Sequence, residues 1–239
     1  MIEKTNITKG LINAGEIWPP AQSFYRPATR PRVARGVFFL GLSGDVGAGK
    51  DTVAAHLIAR YPNLGIQRFA LADPLKVEIY DLLAAADFYS FRSGFLTSDR
   101  PQPRWNEART DAEKIAWVNK FKKELRKMCQ IHGTEFRRAL DPEYWIDRLL
   151  ENVAEAGPKI AAVPDIRFLN EIAICHAAIK VEMIGQVEDS AVASHVSERE
   201  WRKHDFRDNV VRAAKGDLAT LYRESERVFE QILTRFHVQ

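Results

Sequence analysis

Cysteine is scarce in this sequence: two residues, Cys129 and Cys175, in a chain of 239. That is too few for a disulfide framework, and a chain this long can bury a full core without staples. Long apolar runs are missing as well. The longest, Val37–Leu40, reaches Leu42 only through a glycine, far short of the ~20 residues a membrane helix needs. Met1-Ile2-Glu3-Lys4 opens without a charged-then-apolar leader pattern. Together these argue against a membrane protein and a secreted disulfide scaffold, and lead us to expect a reducing cytoplasm. Disorder is disfavoured too, since 46% hydrophobic and 28% charged residues are ordinary for a globular chain.

An excess of positive charge is also missing from the body of the chain. Residues 1–35 hold six Lys/Arg against two acids, whereas the remainder holds 29 against 30. A nucleic-acid-binding domain should carry its basic stripe on the folded body, so no polymeric nucleic acid partner is expected. Residues 18–35 hold four prolines and four arginines with no acid, the composition of an extended arm. Either it is a loosely attached leader, or it docks on the body, on a second subunit or on a polyanion. A homodimer is left open.

From Gly36 the pattern changes. A short apolar strand at 37–40 is followed by helical spacing over Thr52–Arg60 and a second strand at Ile66–Leu71. Asp73-Pro74 reads as an N-cap with proline at N1, opening a helix to about Ala86. Residues 87–110 have no clear period and read as a flap. Thr110 and Glu113 form a capping-box pattern ahead of a long helix with Ile115, Val118, Phe121, Leu125 and Met128 on one face. Asp141-Pro142 repeats the cap-then-proline signal before Trp145, Ile146, Leu149 and Leu150. A third strand is expected at Lys159–Val163, a helix at Phe168–Ala177 and a fourth strand at Ile179–Ile184. A polar, lid-like stretch at 185–205 and a fifth strand at Phe206–Val211 precede a last helix over Leu218–Phe236. Alternating strands and helices predict an α/β fold with a mostly parallel sheet of about five strands, helices on both faces, and functional loops at the carboxyl ends.

The strongest motif is GDVGAGKDT at 44–52, which fits G-x-x-x-x-G-K. Composition alone yields roughly 0.04 chance matches, and the match lies between a strand and a helix, the context that confirms it. Gly44, Gly47, Ala48 and Gly49 form a loop able to wrap phosphates, and Lys50 supplies a point charge to them. This makes the expected architecture a three-layer P-loop NTPase fold over residues 36–239, with ATP and Mg2+ as cofactors. Asp51 stands where a metal-binding hydroxyl is usual. A carboxylate is also a hard oxygen ligand, and Thr52 brings a hydroxyl one residue later, so either can meet the metal. Asp51 is equally an acid suited to a helix's first turn.

Several segments then line up with one family: GDVGAGKDTVA (44–54), FALADPLK (69–76), HGTEFRR (132–138), DPEYW (141–145), PDIRFLNE (164–171) and HVSE (195–198). In this order they resemble the bacteriophage-type deoxynucleoside monophosphate kinases, P-loop kinases related in fold to adenylate kinase. Eukaryotic phosphomevalonate kinase is similar at a greater distance. The resemblance covers about residues 36–235. It implies transfer of the ATP γ-phosphoryl group to a (deoxy)nucleoside monophosphate, a small nucleotide substrate. No general base is needed, because the acceptor phosphate is already an ionised nucleophile, and catalysis becomes positioning plus positive charge.

Carried over residue by residue, the resemblance makes Lys50 the donor-phosphate lysine and Arg138 the clamp on the acceptor phosphate, with Arg137 beside it as an alternative. Arg167 is expected to face the phosphates, or else to pair with Glu171 at i,i+4. Asp165 either orders Mg2+ through water or caps a helix. Asp73 and Lys76 match the acceptor-side segment, with Asp73 also able to cap. Glu135 reads sugar or base or lies at the surface, Trp145 borders the base or fills the core, and Glu171 completes the substrate side. Asn209 falls where the donor adenine is expected, or is a strand-end asparagine. His195, Ser197 and Glu198 have no second cluster with metal-ligand spacing. The family's arginine after the fourth strand is absent at 184–186, so Arg199, Arg202 or the flap's Arg92, Arg100, Arg104 or Arg109 must supply a lid arginine. Two other readings remain: a P-loop kinase of another small phosphorylated metabolite, and a non-catalytic ATP-binding regulatory protein. Both cysteines read as buried, inert thiols.

Overall fold

The computed structural model describes residues 36–85, 108–185 and 200–238. The expected arm at 1–35, nearly all of the flap, and the HVSE segment with Arg199 lie outside the described residues. The described chain divides into two compact units: Leu75–Phe136 in one, and 36–74 with Arg137 onward in the other.

The larger unit is α/β. Its five strands are β1 (Phe38–Ser43), β2 (Ile66–Arg68), β3 (Ile160–Val163), β4 (Ala177–Ile184) and β5 (Val210–Ala214). They form one all-parallel sheet in the order β2-β3-β1-β4-β5. Its helices are α1 (Lys50–Arg60), α5 (Tyr144–Ala156), α6 (Leu169–Ala173) and α7 (Leu218–Phe236). β1 is central and buried along its whole length, as a parallel strand covered on both faces must be. Phe38, Leu40 and Leu42 face a core with Val53, Ala54 and Leu57 of α1 and Leu221, Val228, Phe229 and Ile232 of α7. The alternate residues look the other way: Gly41 approaches Cys175 and Ile166, and the Ser43 hydroxyl donates to the Ile166 carbonyl at 2.9 Å. This bond ties the end of β1 to the segment leaving β3. Because all five strands run parallel, their carboxyl ends share one edge, where ligands of such sheets bind.

The smaller unit holds most of α2 (Ala72–Ala85), then α3 (Asp111–Lys120) and α4 (Lys122–Gln130). Ile79, Tyr80 and Leu83 pack with Val118 and Leu125, with Phe121 and Met128 partly buried against them. The expected capping box is present: Glu113 N–H donates to Thr110 Oγ1 at 3.3 Å, and Glu113 Oε2 accepts from Thr110 N–H at 2.9 Å. The expected long helix is instead broken at Phe121, whose ψ of 24° leaves the helical range, and α4 runs into π-helical turns over Ile131–Arg138. Such turns are rare and are frequently found at functional sites. His132 is buried there and bonds Glu78 at 2.7 Å.

Several boundaries differ from expectation. α2 begins at Ala72, so Asp73 lies inside the first turn instead of capping it. α5 begins at Tyr144 with Glu143 as N-cap, while Asp141 turns the preceding loop by accepting from Glu143 N–H at 3.0 Å. α6 stops at Ala173, because Cys175 and His176 already pack on β1. β5 begins at Val210, and Phe206 is a buried turn residue. Both thiols are pushed up by burial, Cys129 to about 11 and Cys175 to about 12, as inert sulfhydryls should be.

Candidate phosphate-binding site

The loop between β1 and α1 has the backbone that its glycines permit. Gly44 has φ +142°, and a Cβ there would sit 2.2 Å from the Val181 carbonyl oxygen of β4. Gly49 caps α1 in the left-handed region at φ +94°, with Leu221 of α7 3.2 Å from where its Cβ would be. Only glycine meets both demands. Ala48 is buried beneath the loop and donates its N–H to the Asp45 carbonyl at 3.1 Å. The Lys50 ammonium folds back to donate to the carbonyls of Gly44 and Asp45, both at 2.7 Å. The loop is thus wound round its own lysine at the positive end of an eleven-residue helix, an arrangement suited to anions.

The neighbouring strand ends add charge. Arg68, the last residue of β2, donates from Nη1 to Asp73 Oδ2 at 2.9 Å, and from Nε and Nη2 to Asp51 Oδ1 at 3.3 and 3.2 Å. Just after β3, Asp165 accepts from the N–H groups of Leu71 and Ala72 at 3.0 and 2.8 Å. The acid that accepts from the backbone at the start of α2 therefore comes from more than ninety residues away. Burial raises the Asp165 pKa, the two N–H groups oppose that rise, and the charge of Arg167 opposes it as well.

Arg138 and the 164–171 segment come together. Arg138 donates from Nη1 to Glu171 Oε1 at 3.1 Å and from Nη2 to Asn170 Oδ1 at 2.9 Å, with its guanidinium 3.7 Å from the Phe168 ring centroid. Glu171 also accepts from the backbone N–H of Arg167 at 2.8 Å and of Phe168 at 3.1 Å. The expected Arg167–Glu171 contact thus runs through the backbone, and the side-chain ion pair is Arg138–Glu171. Burial pushes Glu171 up to about 7, against the pull of those N–H groups and of Arg138.

The remaining expected residues are placed as follows. Arg137 is buried with its guanidinium 4.7 Å over the Tyr144 ring. Trp145 is buried edge-on to Tyr144. Asn209 lies just before β5 and donates to the Ala178 carbonyl at 3.2 Å. The loop that does precede α7 is 215–217, where Asp217 caps α7 by accepting from Thr220 N–H at 3.0 Å. Lys76 and Glu135 belong to the smaller unit, where Glu135 lies 3.7 Å from Lys127.

Two residues that the sequence reading passed over stand at the loop. Arg68 was hidden because β2 was expected to run to Leu71, which placed its carboxyl end three residues late. Asp45, inside the loop, holds Arg202 Nη2 at 2.6 Å. Of the lid candidates among the described residues, Arg202 therefore reaches the phosphate loop. Its short helical segment, Glu200–Lys203, is anchored by Trp201 N–H on the Arg167 carbonyl and by Glu200 on Leu169 N–H.

A divalent cation fits the donor chemistry here. The Asp51 side chain is 73% exposed on the first turn of α1, and a single carboxylate beside bound phosphates is how Mg2+ is commonly held. Thr52, the other expected ligand, is half-buried on the same turn. Among the described residues no cluster of three metal-ligating side chains exists, so phosphates and water would complete the shell. Among them also, no helix is long and apolar enough to cross a membrane.

No family model matches this chain. No curated protein matches it either. Among solved structures it is similar to a dephospho-CoA kinase from Campylobacter jejuni, at 16% identity and a TM-score of 0.37, over 82% of this chain and 96% of that one. A likeness that distant bears on neither substrate nor activity, and the resemblance to the bacteriophage-type kinases rests on the sequence segments alone.

Proposed function

We propose that this protein is an ATP-dependent phosphotransferase that moves the γ-phosphoryl group to a (deoxy)nucleoside monophosphate. The observation that carries the reading is the glycine loop closed round Lys50 at the head of α1. Donor phosphates entering that loop exchange the two carbonyl contacts of Lys50 for charge-assisted bonds to phosphate oxygens. Lys50 then holds the donor while guanidinium groups at the strand ends neutralise charge that spreads over the transferring group. Asp51, with Thr52 beside it, would hold Mg2+, which would supply further charge neutralisation to the donor phosphates.

The basic side chains round the site support transfer over simple binding. Arg202 is held against the loop by Asp45, Arg68 stands at the end of β2, and Arg167 follows β3. No base is required of the protein, and none of these groups is one. Arg138, Asn170 and Glu171 join the acceptor-side segments into one buried network, so Arg138 has a positioning role in addition to the clamp expected of it.

The test is coupled ATP turnover against a panel of nucleoside and deoxynucleoside monophosphates, with a no-acceptor control. Turnover with a subset of acceptors establishes the activity and names the base. ATP binding without any acceptor-stimulated turnover removes the nucleotide kinase reading. The same assay on other phosphorylated metabolites then decides between a kinase of different acceptor and an ATP-binding regulator.

A further inference from the structure

We propose that Arg68 is a metal-gated phosphate ligand: its gripping edge is occupied by Asp51 until a divalent cation takes that carboxylate, and is then passed to a substrate phosphate. This rests on the phosphotransferase reading above. The guanidinium works through two edges. Nη1 is tied to Asp73 in the first turn of α2, while Nε and Nη2 both point to one oxygen of Asp51 in the first turn of α1. The Nε/Nη2 edge is the fork that matches two phosphate oxygens. Here it is spent on a single carboxylate oxygen, through bonds of 3.2–3.3 Å, longer than the 2.9 Å bond to Asp73.

The two carboxylates differ in how firmly they are held. Asp51 is 73% exposed and Asp73 22%. Exposed pairs of long side chains are weak, so the Asp51 contact is the one that exchanges easily. A cation at Asp51 would compete for the same oxygen and repel the guanidinium at close range. Arg68 would then lose one partner and keep the other, remaining in place with its fork open. Electrostatics give the order of events. The groups facing Arg68 are Asp51, Asp73 and, less directly, Asp165, whose combined charge opposes an incoming dianion. Neutralising Asp51 removes the outermost of the three. The site therefore rejects phosphate in the metal-free protein and accepts it once the metal has bound. The phosphate comes either from the donor's γ position or from the acceptor, and the two sources are separable by experiment.

The experiment is calorimetric titration of the full chain, wild type, Arg68→Ala and Arg68→Lys, with ADP and with ATP, each in Mg2+ and in chelator. Thermal unfolding of each variant confirms that it is folded. Removing the competitor should raise the magnesium-dependent gain in ADP affinity by about three- to tenfold in Arg68→Ala, with metal-free ADP binding nearly unchanged. If the fork takes the γ-phosphate, the ATP-over-ADP preference in Mg2+ falls about tenfold in Arg68→Ala. If it takes the acceptor phosphate, that preference is unchanged and the acceptor KM rises about tenfold at constant KM for ATP. Arg68→Lys, which keeps the charge without the fork, should recover only part of either loss. Equal magnesium dependence in wild type and Arg68→Ala overturns the proposal, as does a shift in which neither the ATP preference nor the acceptor KM moves. Failure of the wild type to bind any nucleotide overturns the phosphotransferase reading along with it. Nucleotide binding with an unaltered magnesium dependence overturns the role of Arg68 alone.

Discussion

Replacing Arg138 by alanine should cost stability in a strongly pH-dependent way. The substitution removes the guanidinium 3.1 Å from Glu171 Oε1, the bond to Asn170 at 2.9 Å and the contact 3.7 Å above the Phe168 ring. The last two are worth roughly 1 kcal/mol each in a buried setting. Breaking a buried ion pair by removing one partner typically costs ~3–5 kcal/mol. Both side chains here are nearly buried, at 11% and 5% exposure, so solvent screening takes little from that figure. Glu171 keeps two backbone N–H donors, which places the charge penalty at the lower end, about 3 kcal/mol.

That penalty applies only while Glu171 is ionised. Its carboxyl has a pKa of about 7 when folded, against 4.5 ordinarily. A raised carboxyl binds its proton more tightly in the folded state. Its stabilisation is therefore complete below about pH 4.5 and is lost as pH rises through 7. Without Arg138 the folded value climbs further, so the loss continues above pH 7. Urea unfolding of the full chain should show Arg138→Ala about 2 kcal/mol less stable than wild type at pH 5, and about 5 kcal/mol less stable at pH 8.5. Glu171→Gln should abolish most of the difference between the two pH values. An equal penalty at both pH values, or none at either, would refute the reasoning. The outcome also governs any activity measurement on Arg138→Ala, because turnover lost at pH 8.5 would mix unfolding with loss of the proposed clamp.

Gly44→Ala places a methyl 2.2 Å from the Val181 carbonyl at φ +142°, and should lower stability by about 3 kcal/mol or more and abolish ATP binding, read by thermal unfolding and calorimetry. Arg202→Ala breaks an ion pair whose partners are 35% and 40% exposed, so unfolding should shift by less than about 1 kcal/mol. Its kcat should fall by about tenfold or more at nearly constant KM for ATP, and an unchanged kcat would deny it a lid role. Asp165→Ala strips two N–H groups at the start of α2 of their acceptor and should cost about 1–2 kcal/mol, with Asp165→Asn losing roughly half of that.

Much of the architecture was legible because it is written in local pattern. The apolar run at 37–42, the glycine loop, the capping box at Thr110 and the periodic last helix each depend on residues close in sequence, and each is found where expected. What was not legible depends on partners far along the chain. The sequence offers Asp73-Pro74 as a self-sufficient helix start. In the fold the helix starts at Ala72, Asp165 accepts from the N–H groups of Leu71 and Ala72, and Asp73 holds Arg68 from inside the first turn. The i,i+4 spacing of Arg167 and Glu171 suggests a pair. The carboxylate is claimed instead by Arg138, thirty-three positions earlier, because both are buried and a buried charge needs the strongest available counter-charge.

Arg68 illustrates the same limit at the site itself. Overextending a strand by three residues moves its carboxyl end past the arginine that closes it, so Arg68 reads as a mid-strand residue and not as one at the edge where ligands gather. β2 pairs with β3 as far as Arg68↔Ala162 and then turns toward α2, although β3 itself runs on to Val163 and pairs there with β1. Asp51 shows the converse. Its place directly after Lys50 is fixed locally by the loop, and so its exposure on the first turn of α1 follows from the motif. Its partner does not follow, since only the sheet order β2-β3-β1 brings the end of β2 within 3.3 Å of that turn.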